Sequence, residues 1–179
     1  MSFARVRALI VVGVLAGIAL VFVAVTLVRD TQAGQDTAEA CPDGYKLADA
    51  RLRLPEDIKI NVFNATSTPN QANEVKDDFQ NRKFKVLKAG NEPKNKGVDR
   101  VAVLRYGPKG VGSYHVLKAY FLNEATPEFD LKRDTDVVDV VIGDEFKQLA
   151  TQTEVSQALA QGGGGPQLPA QTCADPSLT

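Results

Sequence analysis

Apolar and polar positions divide the chain at residue 28. Residues 8–28 form a run of 21 without a charge, and at about 1.5 Å per residue a helix of that length spans a hydrocarbon core of about 30 Å. Arg5 and Arg7 precede the run, whereas Arg29 and Asp30 cancel each other behind it. This bias predicts a cytoplasmic N-terminus over 1–7, a transmembrane anchor over 8–28 and a C-terminal domain outside the membrane. A cleaved secretory signal has a shorter apolar run, closely followed by a small-residue site. Here Ala38-Glu39-Ala40 and Cys41 stand about ten polar residues beyond the run, which favours an uncleaved, single-pass anchor.

The remainder is polar with local apolar patterns. Residues 29–51 read as a stalk and lead-in, 52–160 as the folded domain, and 161–179, with four consecutive glycines and three prolines, as a tail that carries Cys173. Ile58, Ile60 and Val62 alternate with Lys59, Asn61 and Phe63, the period of a half-buried strand ending at Asn64. Thr68-Pro69-Asn70-Gln71 predicts a capping box with Thr68 as N-cap, and Ala72, Val75 and Phe79 then recur at helical spacing. Phe84-Lys85-Val86-Leu87 reads as a second strand, 100–106 as a third, and Ser113, Val116, Leu117 and Tyr120 mark a second helix. Strands over 128–131 and 137–142 follow, and 144–160 reads as partly helical. The order β-α-β-β-α-β-β predicts an α+β domain, an open sandwich of the split βαβ type with both helices on one sheet face.

In that topology the first and third strands are parallel neighbours, so loops 64–68 and 107–110 would share one end of the sheet. Their side chains make the candidate ligand-binding set: Asn64, Thr66 and Ser67 on one loop, Arg105, Tyr106 and Lys109 on the other. Amides and hydroxyls beside free helix N–H groups, with an arginine, suit a glycan or an anionic polymer. The competing reading is that the polar residues before the helix are caps and turns.

Composition narrows the chemistry. The 21 Lys and Arg balance 22 Asp and Glu, which argues against a nucleic-acid binder. One His and two Cys leave too few ligands for a zinc site, and no motif calls for a cofactor. His115 has no Ser or Cys near it to activate, and Gly107-Pro108-Lys109-Gly110 lacks the spacing and Lys-Ser/Thr ending of a phosphate loop. The Asp and Glu residues show no pattern that sets two across a cleft, so no catalytic residue is assigned, and a hydrolase of wall polymer is the third alternative after a binding module and a protein-only scaffold with no glycan ligand. In an oxidising compartment Cys41 and Cys173 are expected to pair, the alternative being two free thiols.

Five pieces, Ile60-Asn61-Val62-Phe63-Asn64-Ala65-Thr66, then Ala72 and Val75, Phe84-Lys85-Val86, Val103-Leu104-Arg105-Tyr106-Gly107-Pro108 and Val138-Asp139-Val140-Val141-Ile142-Gly143, together resemble the LytR C-terminal domain family. The likeness covers about residues 58–149 and is closest in kind to the single-domain, membrane-anchored envelope integrity proteins of high-GC Gram-positive bacteria. It departs where the family commonly has Gly-Leu-Ala and this chain has Asn70-Gln71-Ala72, and where the Gly before Phe84 is Lys83. The resemblance implies a non-catalytic extracytoplasmic module of cell-wall assembly. Its expected partners are peptidoglycan or an anionic wall polymer, or wall-polymer ligases and other envelope proteins.

Overall fold

In the computed structural model, residues 41–94, 96–161 and 165–175 are described, together with Gly13, Ala16 and Ala19. The cytoplasmic N-terminus expected over 1–7 and, apart from those three positions, the anchor expected over 8–28 lie outside the described residues. Among the described residues no helix is long and apolar enough to cross a membrane. The folded unit begins at Cys41, upstream of the boundary at 52 read from sequence.

In chain order the elements are β1 (Lys46–Ala48), β2 (Lys59–Asn64), α1 (Gln71–Asn81), β3 (Lys85–Asn91), β4 (Ala102–Tyr106), α2 (Val111–Ala119), β5 (Thr126–Phe129), β6 (Val138–Ile142), α3 (Gln152–Gln161) and β7 (Thr172–Ala174). The core order from β2 to β6 is the β-α-β-β-α-β-β expected from hydrophobic periodicity. Several boundaries shift by two residues or more: β3 runs on to Asn91, β4 starts only at Ala102, β5 starts two residues early, and 144–151 is irregular, so α3 begins only at Gln152.

The sheet is mixed and its order is β3-β2-β6-β4-β5. Strand β2 pairs in parallel with β3 and β6, β4 pairs in parallel with β5, and β4 runs antiparallel to β6. This corrects the split βαβ arrangement, in which β2 and β4 would be parallel neighbours. Each βαβ crossover instead joins adjacent strands, and β6 enters between the two units to join them.

One sheet face is apolar because every second residue is: Ile60 and Val62 on β2, Ala102 and Leu104 on β4, Val138, Val140 and Ile142 on β6 are all buried. Helix α1 adds Ala72, Val75 and Phe79 to the same cluster, and α2 adds Val111, Val116 and Leu117. Phe79 meets Tyr120 and Phe121 just beyond α2, with ring centroids 6.0 and 6.3 Å apart. Both helices therefore cover one face, and among the described residues no helix covers the other, where Lys59, Asn61, Arg105 and Asp139 project.

The predicted capping box does not form. Asn70, not Thr68, is the N-cap of α1, and it stands in the left-handed region at φ 64°. Its side chain accepts from Asn73 Nδ2 at 2.7 Å. At the far end Lys83 is also left-handed, at φ 73°. There Lys83 N–H donates to Gln80 O at 2.8 Å and Phe84 N–H donates to Phe79 O at 3.0 Å. That pair of bonds is a Schellman turn, with the Phe79–Phe84 edge contact at 5.0 Å supplying its apolar closure. Asn70 and Lys83 are the two departures from glycine noted in the resemblance, and both adopt the left-handed conformation that glycine takes most readily.

The lead-in and tail take part in the fold. β1 pairs in parallel with β7, and Cys41 is disulfide-bonded to Cys173 with Cα atoms 5.9 Å apart. Ala48 is fully buried. Asp49 N–H donates to Pro108 O, and Gly112 N–H donates to Asp49 O at 2.9 Å. A Cβ on Gly112 would lie 1.8 Å from the Arg51 carbonyl oxygen, so the lead-in can lie directly on the start of α2 only because that residue has no side chain.

Candidate functional site

Strand β2 ends at Asn64, and its loop must turn before α1. Asn64 is 7% exposed; its Nδ2 donates to Thr68 O at 2.6 Å, and its Oδ1 accepts from Thr66 N–H at 3.0 Å and Thr66 Oγ1 at 2.8 Å. Thr66 Oγ1 also lies 2.7 Å from Gln71 Oε1 and accepts from Thr68 N–H at 3.1 Å. Asn64 and Thr66 thus spend their polar groups on shaping the turn, as Asx and Thr residues do before helices.

Because β3 lies beside β2 in parallel, the loop after β3 arrives at the same end. Glu92 N–H donates to Asn64 O at 2.8 Å. The two loops enclose a cleft of about 410 Å³, whose lining includes Asn64, Ser67, Asn91, Glu92 and Lys96. Ser67, Asn91 and Lys96 are exposed and have no side-chain hydrogen bond or ion pair among the described residues. With the exposed hydroxyl of Thr68, they are the side-chain groups of this cleft that remain available.

The second half of the predicted site lies elsewhere. Since β4 is antiparallel to β6 and β2 is parallel to it, loop 107–110 leaves the opposite end of the sheet from loop 64–68. Lys109 sits in the short turn Pro108–Gly110 and pairs with Asp134 at 2.8 Å, holding that exposed carboxyl below its ordinary range. Tyr106 faces the helices: it is 4% exposed, stacks on Tyr114 at 4.2 Å and packs against Phe129. Burial and the neighbouring Tyr114 push its phenol above the ordinary value, and its place is in the core.

Arg105 projects from the uncovered sheet face. Its Nη1 donates to both Glu92 oxygens at 2.9 and 3.0 Å, and its Nε to Glu128 at 2.8 Å. Burial acts to lower the Arg105 pKa, but the Glu128 and Glu92 carboxylates outweigh it and hold the guanidinium above its ordinary value. Glu92 lines the β2–α1 cleft on one side and a smaller depression of about 310 Å³ with Arg105, Arg133 and Asp139 on the other. Arg105 therefore positions the cleft wall through Glu92 instead of offering its charge to a ligand. Beside it, Arg133 pairs with Asp139 at 2.8 Å, and Asn61 donates to the same carboxylate at 2.7 Å.

Sequence reasoning missed Glu92, Asn91 and Lys96. They lie in a stretch that reads only as turn signals, and their role depends on the β2–β3 pairing that brings the stretch beside Asn64. Among the described residues no group of three or more His, Cys, Asp or Glu is placed to hold a metal ion.

Comparison with known proteins gives the same frame. The family described as LytR cell envelope-related transcriptional attenuator matches residues 57–146, which contain the whole five-stranded sheet and the cleft. No curated protein matches the chain. Among solved structures the chain is similar to the soluble domain of a conserved hypothetical secreted protein from Mycobacterium marinum. The TM-score is 0.52 and the identity 21%, over 78% of this chain and 89% of that one; at that identity the likeness is one of fold.

Proposed function

We propose, from the premise that this chain belongs to the LytR C-terminal family of cell envelope-related proteins, that it is a non-catalytic, membrane-anchored extracytoplasmic module supporting envelope integrity by binding wall glycan or anionic wall polymer. The reading rests on one observation: the β2–α1 cleft presents Ser67, Asn91 and Lys96 unengaged at its rim. Their donors and acceptors match the hydroxyls and anionic groups of a wall polymer. The 21-residue apolar run supplies the anchor, and the Cys41–Cys173 bond suits an oxidising compartment.

The test is sedimentation of the full chain, in neutral detergent, with purified cell wall. Ser67→Trp fills the cleft from an exposed position, so it is expected to abolish co-sedimentation with an unchanged melting temperature. Undiminished co-sedimentation of that variant removes the cleft as the site.

A wall-assembly enzyme as the bound partner is the second reading, favoured by the charged sheet face that no helix covers among the described residues. It predicts one reproducible in-cell crosslink from position 128 and none to wall.

A further inference from the structure

Charge is unevenly placed. The whole chain has a formal net charge of −1, yet residues 82–96 hold six cations and a single carboxylate, Glu92. That carboxylate is buried and bound by Arg105, and Arg82 is paired with Asp78. Lys83, Lys85, Lys88, Lys94 and Lys96 remain, all exposed. Of these only Lys85 has an ion-pair partner among the described residues, Asp57 at 4.0 Å, while Lys88 lies over the Phe63 ring at 5.7 Å. The five follow the outermost strand of the sheet, β3, and the loop after it, and Lys96 stands at the rim of the β2–α1 cleft.

Lysines on an edge strand often serve to block pairing with another sheet. That role covers Lys85 and Lys88. It does not cover Lys83 before the strand or Lys94 and Lys96 beyond it; Lys94 lines the depression beside Arg105, and Lys96 carries the row to the cleft.

We infer that the ligand of the cleft is a linear polyanion, a wall polymer whose phosphate or carboxylate groups run along the β3 lysines while its hydroxyls meet Ser67 and Asn91. The inference rests on the cleft assignment of the preceding section and narrows its ligand class. A peptide added as a strand takes its specificity from pockets for alternate side chains, and this rim offers amide, hydroxyl and ammonium groups instead. A bilayer surface is flat, whereas the lysine row leads into a concavity. Cations along the strand, with neutral hydrogen-bonding groups at its cleft end, match a polymer that carries both anions and hydroxyls.

The experiment measures binding of the full chain, held in nanodiscs of neutral lipid without free detergent, to poly(glycerol phosphate), to uncharged N-acetylglucosamine oligomers, and to phosphatidylglycerol vesicles. The triple variant Lys88→Gln, Lys94→Gln, Lys96→Gln is compared with a charge-matched control, Arg100→Gln, Lys132→Gln, Lys147→Gln. Poly(glycerol phosphate) is expected to bind more weakly as salt rises, to lose about tenfold in the β3 triple from three screened contacts, to be little changed in the control, and to be lost in Ser67→Trp. Equal losses in both triples would reduce the row to non-specific charge and overturn the proposal. Cleft-dependent binding of the uncharged oligomers with no preference for the polyanion would also overturn it while leaving the cleft assignment standing. Vesicle binding that depends on the β3 lysines, with no polymer binding, would reassign the row to the membrane. Failure of every probe together with failure of wall sedimentation would remove both readings.

Discussion

At the scale of single residues, Lys83 is the most informative position. It occupies the left-handed C′ site of a Schellman turn, a conformation that costs a residue with a Cβ roughly 1 kcal/mol. The turn persists because the Phe79–Phe84 contact and the burial of both rings specify it from either side. Lys83→Gly removes the strain and adds some unfolded-state entropy. It should raise stability by about 0.5 to 1 kcal/mol, measured by urea denaturation with an unchanged m-value; a loss of stability would show that the lysine stem contributes packing that outweighs the strain. Asn70, also left-handed, is a milder case, since asparagine tolerates that region.

Among the elements, the lead-in after β1 is fixed by one carboxylate. Burial of Asp49 acts to raise its pKa, but hydrogen bonds from Arg51 and Arg53 outweigh it and bring the value to about 2, from the ordinary 3.8. A carboxyl whose folded-state pKa is depressed adds stability above its unfolded pKa and loses it as pH falls through the folded one. Asp49 therefore contributes about 2 kcal/mol at neutral pH that disappears between about pH 4 and pH 2. Asp49→Asn should destabilise at pH 7 by about that amount and converge with the parent near pH 2, as read by thermal melts across pH. Parallel curves for the two proteins would show that the arginines do not stabilise the ionised form. The elements themselves were largely legible in the sequence, since Ile60 and Val62, Leu104, and Val138, Val140 and Ile142 show strand alternation, and Ala72, Val75 and Phe79 show helical spacing. Their pairing was not. Alternation says which face of β6 is apolar but not which neighbours it takes, and its insertion between β2 and β4 sends loops 64–68 and 107–110 to opposite ends. For the same reason half of the candidate site, Asn64, Thr66 and Ser67, falls at the cleft. Arg105 reaches it only through Glu92, a partner thirteen residues away that no local pattern reveals.

For the molecule as a whole, the disulfide between Cys41 and Cys173 closes a loop of 132 residues. In the chain-entropy account a loop of this length stabilises by about 4 to 5 kcal/mol. Replacing both cysteines by serine should lower the melting temperature of the outer domain by roughly 10 °C; a shift of a degree or two would mean that β1 and β7 hold together without the bond. The parallel pairing of β1 with β7 beside that bond also has a mechanical meaning. With the anchor proposed above, a pull arriving through the chain before Cys41 reaches β1 and β7 together through the disulfide. The tension passes by a covalent link to both ends of the folded chain, as it would through a rivet between a tether and the load it carries.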